Sequence, residues 1–175
     1  MQEIEAKILD INKEKIEKTL KTLGAKKVFD GKIETLLFDF KDGSIIKTKN
    51  VLRLRVENNQ PILTYKKVKA DAQVKTAEEY SVEVSDADVM QQILECLGLK
   101  IIDDMPKNRL SYKLNVARFD IDQYLAPYDF VPTLLEIEAD SVAAVHEYAK
   151  TLGFTPKDCL PWSTIEVIEY YRHKK

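Results

Sequence analysis

The chain of 175 residues has little of what covalent and metal-thiolate chemistry needs: two cysteines and two histidines. Cys96 and Cys159 show no zinc-type spacing with each other or with histidine. Cys96 lies in an apolar helical pattern, so two free, buried thiols of a cytoplasmic protein are expected. His146 and His173 are isolated and are read as surface or core residues, not as catalysts. No apolar run approaches the ~20 residues needed to cross a bilayer. The N-terminus enters a strand pattern at once, without a signal peptide's apolar core. A net charge of −2 leaves no bulk basic field to hold nucleic acid. The aromatic residues are not interleaved with bases as a stacking platform requires. Neither a nucleic-acid partner nor a membrane is therefore expected.

What is abundant is charge: 32% of residues are charged beside 45% hydrophobic, a globular composition. The charges fall at every second position in short apolar stretches. Glu3, Glu5 and Lys7 alternate with Ile4, Ala6 and Ile8. Arg53 and Arg55, Thr64 and Lys66, Lys107 and Arg109, Asp120 and Asp122, and Glu136 and Glu138 follow the same rule. In a strand, residues two apart share a face. Each segment therefore has one charged and one apolar face.

Three segments repeat one grammar: a strand with acids on one face, a helix, then Leu-Gly. They run from Glu3 to Gly24, from Tyr80 to Gly98 and from Glu136 to Gly153. Asn12, Ser85 or Asp86, and Asp140 or Ser141 are suitable N-caps. The glycines suit helix C-termini. Ile16, Leu20 and Leu23, then Val89, Ile93, Leu94 and Leu97, then Val142, Val145, Ala149 and Leu152 fall at helical spacing and are expected in the core. Lys26 to Phe40 and Leu99 to Val116 each read as a hairpin. Further strands are expected at 51–57, 61–68, 78–84, 117–124 and 133–139, with a turn at Asn58-Asn59-Gln60-Pro61. Lys69 to Thr76 reads as a loop, and 165–171 as a helix covering a barrel end. Strands joined by hairpins, with few helices, give an α+β fold with an antiparallel sheet, and eight or more strands can close into a barrel. The length fits a single domain, 1–175.

If the charged faces point inward, isolated charges would be costly, but acids and bases are both present to compensate. Clustered carboxylates attract hard divalent cations such as Mg²⁺ or Mn²⁺. Clustered Arg and Lys attract phosphates. Together they suit a metal–polyphosphate complex; the alternative is a solvated face carrying salt-bridge ladders.

The motif Glu3-x-Glu5-x-Lys7 at the N-terminus, followed by a helix and Leu-Gly, resembles the signature of the CYTH superfamily, the triphosphate tunnel metalloenzymes. Leu52-Arg53-Leu54-Arg55, Leu63-Thr64-Tyr65-Lys66, Glu79 to Glu83, Lys107-x-Arg109, Asp120 and Asp122, and Glu136-x-Glu138 come in that family's order. The resemblance covers residues 1–154, with 155–175 as a C-terminal extension. It implies a closed, eight-stranded antiparallel β-barrel with flanking helices, whose tunnel binds a triphosphate and a divalent metal. It implies metal ligation by Glu136 and Glu138, with Asp122 nearby, and by Glu3 and Glu5. Phosphate binding would fall to Lys7, Arg53, Arg55, Lys66, Lys107 and Arg109. Glu3, Glu5 and Lys66 would serve catalysis. Ala77 and Ser81 stand where the family places charge, which leaves Glu79 and Glu83 uncertain as tunnel residues.

The expected activity is metal-dependent hydrolysis of a small triphosphate: inorganic triphosphate, thiamine triphosphate or a nucleoside triphosphate. A class IV-type adenylate cyclase, making cyclic AMP and pyrophosphate from ATP, is the alternative on the same site. A non-catalytic polyphosphate-binding module is a third reading, and a homodimer is compatible with all three. Trp162 could stack on a substrate ring, although a packing anchor is the simpler expectation.

Overall fold

The computed structural model describes the backbone of residues 2–69 and 75–174 and, within these, the side chains other than those of residues 2, 3, 69, 75 and 76. The elements run β1 (Gln2–Ile8), α1 (Lys13–Thr22), β2 (Lys26–Phe40), α2 (Ser44–Lys47), β3 (Val51–Glu57), β4 (Gln60–Lys69), β5 (Lys75–Glu83), α3 (Ala87–Cys96), β6 (Leu99–Asp104), β7 (Lys107–Leu114), β8 (Ala117–Tyr124), β9 (Leu134–Ala139), α4 (Val142–Thr151) and α5 (Thr164–Arg172).

The ladders are all antiparallel, and hydrogen bonding runs β3-β4-β5-β1-β9-β8-β7-β2 and back to β3. Eight strands thus form the expected ring. Its seam is uneven, because β2 gives Lys26–Ile33 to β7 and only Glu34–Phe38 to β3. A ninth strand, β6, lies against Leu36–Phe40 of β2. Lys26–Phe40 is consequently one long strand, not the expected hairpin. Asp30 and Gly31 continue the ladder opposite Leu110 and Arg109, and the strand is irregular at Lys27/Phe29 within the β7 pairing and at Leu37/Phe38 within the β6 pairing. The loop expected at 69–76 is shorter: Lys69 ends β4 and Lys75 opens β5, while 70–74 lie outside the described residues.

Local chemistry fixes the other boundaries. Asn12, Asp86 and Ser141 accept the backbone N–H of Lys15, Val89 and Ala144. Gly153 ends α4 at φ 91°, a conformation costly for other residues. Asn58 and Asn59, at φ 52° and 60°, make the tight turn between β3 and β4.

Three apolar clusters dress the barrel. The largest packs Ala6, Ile8, Leu110, Phe119, Ile121, Leu135 and Ile137 from the strands under Ile16 and Leu20 of α1 and Val145, Ala149 and Leu152 of α4. A second joins Phe38, Leu54 and Leu99 to Ile45 of α2 and Leu94 of α3. The third joins Leu37, Met105, Tyr124, Tyr128, Val131 and Leu134 to Val167, Ile168 and Tyr171 of α5.

The helical-core expectation fails in α3. Leu94 is buried, but Val89, Ile93 and Leu97 are 51%, 46% and 68% exposed. The helix rests on its sheet through Leu94, Ala87 and Met90, which turns the neighbouring stripe outward. Cys96 is exposed for the same reason, and Cys159 alone of the two thiols is buried. Leu23 of the first repeat is also exposed, at 38%.

Candidate active site

Burying the apolar faces of β1, β7, β8 and β9 beneath α1 and α4 turns their charged faces to the inside of the ring. There they line a cavity of about 600 Å³. Among the described residues its walls carry eight bases (Lys7, Arg53, Arg55, Lys66, Lys107, Arg109, Lys113, Arg118) and five acids (Glu5, Glu79, Asp120, Glu136, Glu138). A chain with a net charge of −2 therefore places, among its described residues, three more bases than acids in one enclosure. That local field favours a polyanion.

On the β1–β9 side, Lys7 stands opposite Glu136 in register, with Nζ 2.7 Å from Glu136 and 3.4 Å from Glu5. Burial would lower the Lys7 pKa, but Glu136 and Glu5 outweigh it and hold the ammonium above its ordinary value. Burial would likewise raise Glu136, yet Lys7, Arg109 and Lys107 keep that carboxyl well below the usual range.

On the β7–β8 side, Asp122 accepts hydrogen bonds from Arg109 Nε and Nη2 and from Lys107 Nζ, each at 2.6 Å. Arg109 Nη1 reaches Asp120. Asp122 opposes Arg109 directly in the ladder, which produces the bidentate geometry. Burial opposes ionisation of Asp122, but Arg109 and Lys107 hold its carboxyl below the ordinary value. Lys107 is less well compensated: burial, then the Arg109 charge, brings its ammonium down to about 8.

On the β3–β5 side, Lys66 Nζ lies 2.9 Å from Glu79, and Arg53 Nη2 3.8 Å from the same carboxylate. Arg55 pairs with Glu57 at 3.1 Å, and Arg118 Nε with Asp120 at 2.9 Å. Arg53 Nε and Arg55 Nε are nevertheless buried with no hydrogen-bond partner among the described residues. A buried donor left unmet costs about 1–3 kcal/mol. Burial, then the neighbouring Arg53, lowers the Arg55 pKa to about 10. Phosphate oxygens would satisfy both guanidinium groups and relieve the crowding of positive charge.

The barrel thus brings together Glu5, Lys7, Arg53, Arg55, Lys66, Lys107, Arg109, Glu136 and Glu138 of the expected set. Asp122 stands apart from them: it is fully buried and sits behind Lys107 and Arg109, while Asp120 lines the cavity. The side chain of Glu3 lies outside the described residues. Glu79 lines the cavity and Glu83 is exposed at the end of β5. Trp162 packs on Tyr170, with centroids 5.0 Å apart, and belongs to the α5 cluster, not to the cavity lining. Lys113, Arg118 and the segment Ser163–Ile165 are lining residues that sequence reasoning missed. Arg118 could have been found, since it continues the alternation of Asp120 and Asp122 one step back.

Among the described residues, no three carboxylates gather closely enough to hold a metal ion alone. The donors still fit Mg²⁺ or Mn²⁺ in kind. Glu5 and Glu138 face each other across β1 and β9, with Glu136 beside them, all hard oxygen ligands. Mg²⁺ is commonly held by one or two carboxylates completed by substrate phosphates and water.

A ring of antiparallel strands encloses facing bases and carboxylates. The chain belongs to the CYTH domain family, which it matches over residues 1–158. It is 32% identical over 152 residues to a Methanocaldococcus jannaschii protein provisionally named an adenylate cyclase, covering 87% of this chain and 84% of that protein. The solved structure of PH1012 from Pyrococcus horikoshii OT3 is 26% identical, with a TM-score of 0.80 over 94% of this chain and 98% of that one. A Hippeastrum protein whose structure is described with a dominant triphosphatase activity shares the fold at 16% identity, with a TM-score of 0.70 over 96% of this chain and 95% of that one.

Proposed function

We propose that this protein is a divalent-metal-dependent triphosphatase that hydrolyses a small triphosphate in the barrel cavity. The observation that carries the reading is the pair of buried donors Arg53 Nε and Arg55 Nε, which have no hydrogen-bond partner among the described residues, within a cavity rich in bases. Simple phosphate capture would need the bases alone, so the facing carboxylates Glu5, Glu136 and Glu138 favour an enzyme over a binding module. In this reading residues 1–175 act as one unit, supported by Ser163, Thr164 and Ile165 of the extension lining the same cavity.

Arg53, Arg55, Lys107 and Arg109 bind the phosphate chain and offset the charge that develops on the transferring group. Lys7 contributes from the β1 wall. Asp122 does not touch the substrate; it holds Lys107 and Arg109 in their binding geometry. Glu5, Glu136 and Glu138 would hold Mg²⁺ or Mn²⁺. When bound there, a divalent metal would supply Lewis acidity and a more acidic water. Glu5 orients the attacking water, and Lys66 hydrogen-bonds to the departing phosphate oxygen.

A second reading, ATP cyclisation to cyclic AMP and pyrophosphate, is favoured by the name of the Methanocaldococcus relative. It uses the same phosphate and metal ligands and differs in the phosphorus attacked. The test is phosphate release from inorganic triphosphate, thiamine triphosphate and ATP with Mg²⁺ or Mn²⁺, in the wild type and in Glu136→Gln. The triphosphatase reading expects metal-dependent release that the variant loses. Near-normal turnover by the variant would remove Glu136 from the metal site.

A further inference from the structure

The cavity is closed at one end and narrowed at the other. Toward α5 its floor is Leu37, Met105 and Tyr124, which are 7%, 4% and 3% exposed and packed into the cluster that α5 seals. A bound polyphosphate can therefore lengthen only toward the opposite end, where Lys113, Val116 and Arg118 line the cavity. Along the inner face of β3 the bases Arg53 and Arg55 stand ~7 Å apart, and the next residue on that face is an acid, Glu57. Its carboxylate lies 3.1 Å from Arg55 Nη2 and 3.9 Å from Arg118 Nη2. Arg118 belongs to β8, which β7 and β2 separate from β3 in the ring, so the second contact crosses the lumen. Asp120, 2.9 Å from Arg118 Nε, and Ser111 Oγ, 3.3 Å from Nη2, hold the guanidinium for it. Glu57 ends β3 beside the Asn58-Asn59 turn, so it sits at the barrel rim, yet its side chain is only 15% exposed.

A resident carboxylate at this point ends the run of bases. We infer that Glu57 is a specificity-determining residue that limits the length of the phosphate chain: an anion continuing past Arg55 is rejected, so tetraphosphate and longer polyphosphates are excluded where triphosphate is accepted. This rests on the phosphate-binding reading above. In a cavity whose described walls carry more bases than acids, a longer polyanion gains affinity with each added charge unless something opposes it. Glu57 supplies the opposition. A fourth phosphate meets a like charge in a partly buried setting, where repulsion is poorly screened. Glu57 also occupies Arg55 and Arg118, which a fourth phosphate would otherwise use. The organic part of a triphosphate ester lacks that negative charge and passes the rim unopposed.

Calorimetric binding of inorganic triphosphate and inorganic tetraphosphate, without divalent metal so that neither is turned over, tests the assignment. The wild type is expected to bind tetraphosphate no more tightly than triphosphate. Glu57→Gln removes the charge and keeps the volume, and it should raise the affinity for tetraphosphate about tenfold relative to triphosphate. Glu57→Ala should move the ratio in the same direction, and it guards against a packing failure peculiar to the first variant. Glu34→Gln removes a surface acid paired with Lys32 and controls for net charge; it should leave the ratio within about twofold. Retained affinity for triphosphate shows that the barrel is intact. A wild type that binds tetraphosphate more tightly than triphosphate, a ratio that neither Glu57 variant shifts, or an equal shift in Glu34→Gln would overturn the limit while leaving the phosphate site standing. Binding of neither chain by the wild type would remove both.

Discussion

Asp122→Asn removes one negative charge and little volume from the most enclosed ion cluster in the barrel. Asp122 is fully buried and accepts three hydrogen bonds at 2.6 Å from two cations. An asparagine can accept on one side only, and its amide N–H₂ faces Lys107 or Arg109, each a donor. Breaking a buried pair by removing one partner costs about 3–5 kcal/mol. The lower end applies, because Asp120 continues to hold Arg109. For a chain of this size, about 3 kcal/mol lowers the melting temperature by roughly 6–12 °C. The uncompensated cations should bind a polyanion well, so inorganic triphosphate should raise the melting temperature of the variant more than that of the wild type. Thermal melts with and without triphosphate read both effects. A variant that melts within 2 °C of wild type, as roughly expected of a surface change, would show that Asp122 does not anchor the basic wall.

Other perturbations have equally definite outcomes. Glu136→Gln should reduce metal-dependent phosphate release below detection while triphosphate binding persists, measured by turnover and calorimetry on one preparation. Asp39, 1% exposed, accepts the backbone N–H of Phe40, Ile45 and Ile46 at the start of α2. Asp39→Ala should therefore cost about 2 kcal/mol in denaturant melts. Lys107, lowered to about 8, is charged below that pH at an energetic cost that an unfolded chain does not bear. Between about 8 and its unfolded pKa the unfolded chain holds the extra proton, so this group's contribution to stability increases with pH there. A bound triphosphate raises the Lys107 pKa again, so binding at pH 9 should take up a proton that Lys107→Met does not. Calorimetry in buffers of different ionisation enthalpy measures that difference.

The period-2 alternation of Glu5 and Lys7, Arg53 and Arg55, and Glu136 and Glu138 was enough to place these residues on one face of a sheet. It was not enough to say which face is covered; that depends on α1 and α4 lying over Ile8, Phe119 and Ile137. The same alternation does not separate Asp120 from Asp122. They share a face two residues apart, and only the register of β7 sets Asp122 against Arg109 and behind the cavity wall. The hairpin expected at Lys26–Phe40 fails because a strand that pairs with β7 along its first half and with β3 and β6 on opposite edges along its second has no single local pattern. Helical spacing marked Val89, Ile93 and Leu97 as core, but periodicity cannot tell how wide a patch the sheet offers to α3. Ser163 to Ile165 were invisible as cavity residues, since contact between the chain's last helix and its barrel is entirely non-local.

The most direct test is a product assay on the purified protein. Inorganic triphosphate, thiamine triphosphate and ATP would each be incubated with Mg²⁺ or Mn²⁺, scoring phosphate, pyrophosphate and cyclic AMP. Metal-dependent release of phosphate from at least one of them is expected, without cyclic AMP. Cyclic AMP formed with stoichiometric pyrophosphate would contradict hydrolysis while keeping the tunnel, and no product from any triphosphate under either metal would contradict the enzyme itself.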